Sequence, residues 1–462
     1  MFAGGGRHVL ERKKRRWKDV CKKYVLSGEE GGVMNLYQQY MYSYPHKTAY
    51  RSLEGVFLKD YVPYLWDQEN SLYMHIPFCE SKCGYCNLFS VVGQEEKVID
   101  RYLDAMVRQT EQWGTLLAGD RAGENVRFSE LVLGGGTPLY LTITQLQRVF
   151  NLAKEMGFSG KSIVVETSPR QTTVEKLQFL KEQGVTRLSM GVQSMQQKEL
   201  DTLHRKHSVE EVERAMEQIK KVGFPCVNLD VIYGIPGQTM ESLKDTLDRV
   251  LSYEVEELFL YPLYIKKDTW LYQEGKMQNE QIEQFYRFAR EYLQRHGYTP
   301  RSMRRFTRKA TEGKAKSCGY ENTLSIGCGG RSYLGPLHFC TPYQVRQQEC
   351  RMQLETYMET EDFSKITHGY LLTKEEEKRR FAIKNLLFYY GIDREEYKSL
   401  FDSELLVDFP MIEGWIEQGY VTTEGKRIFL TEEGMVRSDS LGPMFISEKV
   451  RQRMEEFWTK RA

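Results

Sequence analysis

Between residues 72 and 263 six short apolar runs alternate with segments of helical period, and this alternation restricts the fold more than any other feature of the chain. The runs are Leu72–Ile76, Phe128–Leu133, Ser162–Glu166, Arg187–Val192, Cys226–Ile232 and Leu258–Leu263. Between them, Val98–Leu117, Leu146–Met156, Val174–Glu182, Val209–Val222 and Met240–Leu251 carry apolar residues at helical spacing. Repeated strand–helix units of this length predict a parallel sheet with its helices outside. The expected fold class is α/β, an open six-unit (βα) partial barrel, because a closed eight-unit barrel would need two more clear units.

The first apolar run leads into Tyr73-Met-His-Ile-Pro-Phe-Cys79-Glu-Ser-Lys-Cys83-Gly-Tyr-Cys86, where Pro77 and Gly84 mark a loop. The CxxxCxxC spacing therefore sits at the carboxyl end of a strand, where α/β folds carry their chemistry. It offers three thiolates, from Cys79, Cys83 and Cys86, to one iron–sulfur cluster, and a cluster of four irons then keeps one iron open. Structural zinc asks for four closed ligands, and no second cysteine pair is spaced to complete such a set. The chain has nine cysteines, an odd number that suits a reduced compartment better than a disulfide framework.

Charge and hydropathy remove other classes. Lys+Arg and Asp+Glu number 65 and 64, so no global field steers the molecule toward nucleic acid or a membrane. No apolar stretch approaches the roughly 20 residues that cross a bilayer, and Met1–Tyr24 lacks an apolar signal core, so a cytoplasmic protein is expected. The Lys- and Arg-rich residues 7–23 read as a solvated helix within a basic N-terminal segment, 1–36.

Four further strand ends carry polar residues. Gly134-Gly-Gly-Thr137-Pro138 lets backbone amides approach a polar ligand that side chains would block. Val165-Glu166-Thr-Ser-Pro169 adds a carboxylate at the same rim. Leu188-Ser-Met-Gly191-Val-Gln193-Ser194 adds an amide, with Arg205 following in Leu203-His204-Arg205-Lys206-His207. Asp230 stands in Asp230-Val-Ile-Tyr-Gly234-Ile-Pro236. An amide and a carboxylate suit ribose hydroxyls, and a guanidinium suits a carboxylate.

These motifs together resemble the radical S-adenosylmethionine (SAM) enzymes, and among them the oxygen-independent coproporphyrinogen III oxidase-like group, in a branch whose substrate is not settled. The resemblance runs from about residue 37 to 263 and more weakly to the C-terminus, where Leu430-Thr-Glu-Glu-Gly434 matches the family's LTxxG. It implies that Cys79, Cys83 and Cys86 ligate a [4Fe-4S] cluster whose open iron chelates SAM. An electron from the cluster then cleaves SAM to methionine and a 5′-deoxyadenosyl radical. It further implies that Gly135, Gly136, Thr137 and Glu166 bind SAM, that Gln193 and Asp230 hold its ribose, and that Arg205 meets its carboxylate. Tyr73 and Tyr85 fall where family aromatics pack beside SAM. A reducing partner such as flavodoxin or ferredoxin is implied as well.

Tyr42-Ser43-Tyr44-Pro45 resembles a segment that covers the family's active site, so residues 37–70 are expected to form an arm over the site. Residues 71–265 form the partial barrel and 266–370 its extension on the substrate side. The region 371–462 is expected to be a mainly helical, winged-helix-like domain, its hairpin lying in 422–430. The acids Glu413, Glu417 and Glu424 argue against a DNA face there. The family substrate is a carboxylated tetrapyrrole, so cations should grip it, with Lys47, Arg51 and Arg331 the leading candidates and Arg301, Arg304 and Arg305 behind them. The expected function is a radical SAM oxidoreductase abstracting hydrogen from a porphyrinogen-like or other carboxylated substrate. A heme-binding chaperone and a radical SAM methyltransferase are the alternatives. Two departures bear on the choice: Leu88 replaces a further family cysteine, and Arg331 follows the glycine turn Gly327–Gly330 where the oxidase is apolar. The chaperone's HNxxYW motif is missing from Cys318–Ser325.

Anaerobically purified protein should carry about four irons and four sulfides per chain. Replacing Cys79, Cys83 and Cys86 together by Ala should abolish both, as iron and acid-labile sulfide assays would show; full iron retention would remove the loop from the cluster.

Overall fold

The strand that precedes the cysteines, Asn70–Ile76, has six of its seven residues buried, as a strand must when neighbours flank it and both of its faces are covered. In the computed structural model, which describes residues 41, 43–66, 68–118, 126–277, 280–308 and 321–461, this strand lies at the centre of one large sheet. In chain order the strands are β1 (Arg51–Ser52), β2 (Asn70–Ile76), β3 (Phe78–Cys79), β4 (Val91–Val92), β5 (Phe128–Gly135), β6 (Phe158–Thr167), β7 (Arg187–Gln193) and β8 (Cys226–Tyr233). After these come β9 (Glu257–Pro262), β10 (Thr299–Pro300), β11 (Arg305–Thr307), β12 (Asn322–Ile326), β13 (Arg331–Leu334), β14 (Leu337–Cys340) and β15 (His368–Leu371). Thirteen of them form one sheet in the order β1-β15-β14-β13-β12-β2-β5-β6-β7-β8-β9-β11-β10, while β3 and β4 pair beside it.

The six expected strands are present as β2 and β5–β9, all parallel, and the sheet stays open. A seventh parallel strand was not expected. β12 runs beside β2, Asn322–Ile326 opposite Asn70–Met74, and carries antiparallel strands outward on that side. Among the described residues, this strand lacks the flanking helical segments that set off the other six and lies beside short antiparallel strands. Its place follows from pairing with a strand some 250 residues earlier, which local periodicity does not encode.

The sequence also fixes where each crossover helix begins. Ile143–Glu155, Val174–Glu182, Val209–Val222 and Met240–Ser252 all start at a Ser or Thr whose hydroxyl accepts a backbone N–H: Thr142, Thr173, Ser208 and Thr239. Three of these are reciprocal caps, closed by Gln145, Glu211 and Ser242. Each strand end is thus followed by a loop of defined length, and those loops carry the rim motifs.

The described residues divide into two compact units, one of 43–380 with 446–461 and one of Met41 with 381–445. In the smaller unit, the expected hairpin forms between Val421–Glu424 and Arg427–Leu430, and Ile392–Asp393 joins it as a third antiparallel strand beside short helices. The last helix, Glu448–Thr459, groups with the large sheet, although the sequence reading placed it with the 371–462 module. No helix among the described residues is long and apolar enough to cross a membrane. The basic segment 1–36, residues 37–40 and Tyr42 of the arm lie outside the described residues.

One buried charge group ties the far side of the sheet together. Glu257 on β9, its side chain 5% exposed, accepts from Arg187 Nε on β7 at 2.9 Å and pairs with Arg305 on β11. Burial raises the Glu257 carboxyl, but the two guanidiniums outweigh it and hold the group below its ordinary value. A lowered carboxylate contributes stability above its unfolded pKa and loses it as pH falls through the folded one. Glu257→Gln should therefore lower the unfolding free energy at neutral pH by about 3 kcal/mol. In urea titrations the gap between variant and parent should close as pH drops below the ordinary carboxylate range.

Candidate functional site

Five loops meet at the carboxyl ends of β2, β5, β6, β7 and β8. After β2 the chain passes Pro77 into β3, and backbone bonds lock this turn to its neighbours: Gly136 N–H donates to Ile76 O at 2.7 Å and Thr137 N–H to Phe78 O at 2.9 Å. Cys79, Cys83 and Cys86 are half-buried, free thiols on the loop so formed. Gly84 N–H donates to Leu203 O and Gly84 O accepts from Leu271 N–H, both at 2.9 Å, so the loop is held from the far side too. A side chain at Gly84 would collide with His204, at 2.7 Å from a Cβ.

Two cysteines already have polar neighbours. Arg205 Nη1 donates to Cys83 Sγ at 3.1 Å, and its Nη2 donates to Gly191 O at 2.5 Å. The same guanidinium has its buried Nε without a hydrogen-bond partner. Nearby thiolates and Tyr85 raise the Arg205 pKa further, although burial opposes this. Thr137 Oγ1 donates to Cys79 Sγ at 3.7 Å. Burial, and then the neighbouring thiols, pushes Cys79 up to about 12, so three thiolates together would want a strong compensating positive charge. Among the described residues no three His, Cys, Asp or Glu side chains group as a single metal ion requires.

The glycine run packs too closely against its neighbours to admit side chains. A Cβ on Gly134 would lie 2.8 Å from both Glu166 Oε2 and the Tyr73 hydroxyl, and one on Gly136 would lie 2.7 Å from Phe78 O. Gly135 N–H donates to Glu166 Oε2 at 3.1 Å. Burial lifts the Glu166 carboxyl to about 7, against the partial relief of that N–H. Asp230 rises to about 6, again chiefly through burial, with Asn228, Arg187 and Arg205 working against it. Two buried carboxylates that act on each other thus share the rim. Gln193 sits in the left-handed region at φ 73°, beside a register shift between Gly191 and Gln193. A Cβ on Gly191 would meet Gln193 Nε2 at 2.7 Å, so the small residue makes room for the amide. Tyr85 packs on Leu203, Ile232, Ile235, Leu263 and Leu271, near Cys83 and Arg205.

Two residues escaped the sequence reading. Asn228, buried on β8, donates through Nδ2 to Asp230 Oδ1 and to Ser189 Oγ, each at 2.8 Å, and its Oδ1 has no partner. It reads as an ordinary polar residue two places before Asp230, and only the pleat shows that it shares that face. His75 is the second. It lies under the glycines: a Cβ on Gly135 would be 2.8 Å from His75 Nδ1, and one on Gly329 would be 2.8 Å from His75 Nε2. The glycine turn 327–330 therefore wraps the end of β2, and burial pushes His75 down to about 4, keeping it neutral. A histidine inside an otherwise apolar run was the available signal.

The cations expected for substrate separate into two groups. Lys47 lies over the Tyr343 ring, 4.3 Å from Nζ to the centroid, and Arg331 donates to the Ser43 hydroxyl. Arg51 is engaged elsewhere, donating to Thr48 O at 2.9 Å, Tyr50 O at 2.8 Å and Arg453 O at 2.6 Å, with Glu456 Oε2 at 3.2 Å. Arg301 meets Thr307, Arg304 meets the Tyr264 hydroxyl, and Arg305 belongs to the Glu257 group.

Residues 73–250 match the sequence profile of the radical SAM superfamily, and that span carries the cysteine loop and the four rim segments that follow it. The chain carries a radical SAM domain. Along most of its length, the chain is 26% identical to the heme chaperone HemW of Bacillus subtilis over 390 residues, covering 82% of this chain and 99% of that one. It is 27% identical to the oxygen-independent coproporphyrinogen III oxidase of Escherichia coli over 433 residues, covering 86% and 92%. The solved structure of the Escherichia coli coproporphyrinogen III oxidase superposes with a TM-score of 0.73 at 24% identity, over 87% of this chain and 96% of that one, and shows that the two share a fold. A radical SAM domain implies a [4Fe-4S] cluster and SAM. The residues present fit both: a glycine cradle that a Cβ would fill, an unpartnered buried Arg205 Nε, an unpartnered Asn228 Oδ1, and three thiols on one loop.

A carboxyl raised from 4.5 to about 7 contributes stability below its unfolded pKa and loses it as pH rises through the folded one. In cofactor-free protein, Glu166→Gln should therefore stabilise at pH 8 by up to about 3 kcal/mol. The gain should vanish near pH 4, which urea midpoints at the two pH values would check.

Proposed function

We propose that this radical SAM protein is an oxidoreductase of the coproporphyrinogen III oxidase-like kind, acting on a porphyrinogen-like or other carboxylated substrate. The observation that supports it best is the joining of Arg205 to Cys83 on one side and to Gly191 O on the other, which brings the cysteine loop and the rim of β7 to one place. In this reading Cys79, Cys83 and Cys86 hold the cluster. Gly135, Gly136, Thr137 and Glu166 receive the amino end of SAM, Arg205 its carboxylate, and Gln193 and Asp230 its ribose hydroxyls, with Tyr73 and Tyr85 alongside. When bound, the cluster and SAM together supply one-electron hydrogen-atom abstraction.

The chain's own residues do the rest by position and charge. Glu166 and Asp230 are buried acceptors whose raised pKa values mark them as short of donors, and an ammonium or a ribose diol supplies what they lack. Asn228 holds the Asp230 carboxylate in place. Tyr85 and its apolar neighbours exclude water from the Cys83–Arg205 contact. A small tetrapyrrole is the substrate class that the relatives' names support, a flavodoxin- or ferredoxin-like protein would supply the electron, and the setting is the cytoplasm.

The alternative of a heme chaperone is supported by similarity along nearly the whole length of the Bacillus subtilis protein. Anaerobic, chemically reduced protein given SAM and coproporphyrinogen III should yield deoxyadenosine together with decarboxylated product by mass spectrometry. Heme bound and returned unmodified, with no product, would favour the chaperone instead. Asp230→Ala should weaken SAM binding by about 1–3 kcal/mol with the iron content unchanged; unchanged affinity would take Asp230 out of the site.

A further inference from the structure

Most large apolar side chains of this chain are buried, and three of the ten exposed ones among the described residues fall within 270–277: Trp270 at 59%, Tyr272 at 48% and Met277 at 73% exposure. Trp270 and Tyr272 stand on a short helix, Trp270–Gln273, whose buried Leu271 joins the apolar cluster on which Tyr85 packs. Tryptophan and tyrosine are the side chains that anchor protein–protein contacts, and apolar groups gathered on a surface mark such places.

This patch adjoins the cysteine loop. Leu271 N–H donates to Gly84 O and Gly84 N–H donates to Leu203 O, both at 2.9 Å, between Cys83 and Cys86. The next residue, His204, takes a left-handed backbone at φ 54° and sets its ring against Trp270, the centroids 5.3 Å apart. Glu274 ties the two rings together, accepting from Trp270 Nε1 at 2.6 Å and meeting His204 Nε2 at 3.2 Å. After His204 comes Arg205, whose guanidinium donates to Cys83 Sγ at 3.1 Å. An exposed indole is thus linked to a cysteine thiol through one imidazole and one guanidinium.

The charges around the patch favour an acidic visitor. Beside Tyr272 lies a groove of about 300 Å³ whose walls include Lys267, Asp268, Arg346 and Arg461. The acids here are already engaged: Asp268 by Arg346 at 2.7 Å and Arg461 at 3.6 Å, Glu349 by Arg461, and Glu274 by the two rings. Lys267 and Lys276 are exposed and, among the described residues, meet no carboxylate at ion-pair distance. Apolar anchors flanked by uncommitted cations suit a partner that brings acids to the rim of the contact.

We propose that the Trp270–Tyr272 face is the docking surface for a small acidic one-electron carrier protein, and that the carrier's electron enters the cysteine loop there. This rests on the radical SAM reading above and adds to it the point of entry. In the step one electron leaves the carrier's reduced centre and enters the oxidised cluster, and no bond forms or breaks. Transfer between proteins weakens steeply with distance, so a carrier has to sit where the ligand loop lies directly under the surface. The helix that shows Trp270 to solvent bonds Gly84 of that loop on its inner side.

The test uses the full-length, iron-loaded protein with reduced flavodoxin as probe, and dithionite as a small reductant that needs no docking face. Calorimetry measures flavodoxin affinity and stopped-flow absorbance follows cluster reduction, with iron content and melting temperature as checks on each variant. Trp270→Ala, and Lys267→Glu combined with Lys276→Glu, should each weaken flavodoxin binding by about tenfold or more and slow reduction by flavodoxin to match. Dithionite should reduce parent and variants at one rate, and their SAM affinity should stay the same. Added salt should weaken the parent's binding far more than that of the double lysine variant. Variants that melt like the parent and bind flavodoxin equally well would overturn the proposal, as would a parent with no saturable flavodoxin binding at low salt. So would equal slowing with dithionite, which makes the face a support of the loop, or self-association of the parent that Trp270→Ala abolishes, which makes it a contact between copies. A parent that takes up no iron would instead overturn the radical SAM reading, while calorimetry with flavodoxin still decides on the face.

Discussion

The site depends on one shared guanidinium. Arg205 spans the gap between the loop after β2 and the end of β7, one nitrogen on Cys83 Sγ and another on Gly191 O. Burying an arginine without a paired anion is costly, and here the compensation comes from sulfur and from a backbone dipole. Remove either partner and the charge loses its reason to be inside. That coupling ties the cysteine loop to the sheet, because the loop has only short β3 and a few backbone bonds of its own.

Around this contact the carboxyl ends of five parallel strands bring together groups that are each unfavourable alone. Glu166 and Asp230 are buried acids held above their ordinary pKa values, Gln193 adopts a left-handed backbone, and Arg205 and Asn228 keep unpartnered polar atoms. Strain and unsatisfied polarity gather at one rim, on a sheet that elsewhere closes its charges as Glu257 does with two arginines, and this contrast supports the proposed reading of the rim as a polar-ligand site.

Much of this was legible in the sequence because it is local. The six parallel strands announced themselves by apolar runs, and the cysteines, the glycine run, Glu166, Gln193 and Asp230 follow those runs at short spacing. What was not legible depends on distant partners. β12 is a strand by virtue of β2, His75 matters through glycines that come about 60 and 250 residues later, and Tyr343 acquires its place from the last helix. Lys47, Arg51 and Arg331 looked equivalent as lone cations; only the tertiary fold shows that Arg51 is occupied by carbonyls and Glu456, while Lys47 lies over the Tyr343 ring and Arg331 bonds the Ser43 hydroxyl. The boundary at 371 had a similar fate, since the final helix returns to the large sheet unit.

The central claim is that three thiolates from one loop leave one iron of a four-iron cluster open to SAM. Mössbauer spectroscopy of iron-loaded protein, recorded with and without SAM, measures this directly. The account predicts that one iron in four changes its spectrum when SAM is added while the other three keep theirs. Four irons that respond alike, or none that respond, would contradict it.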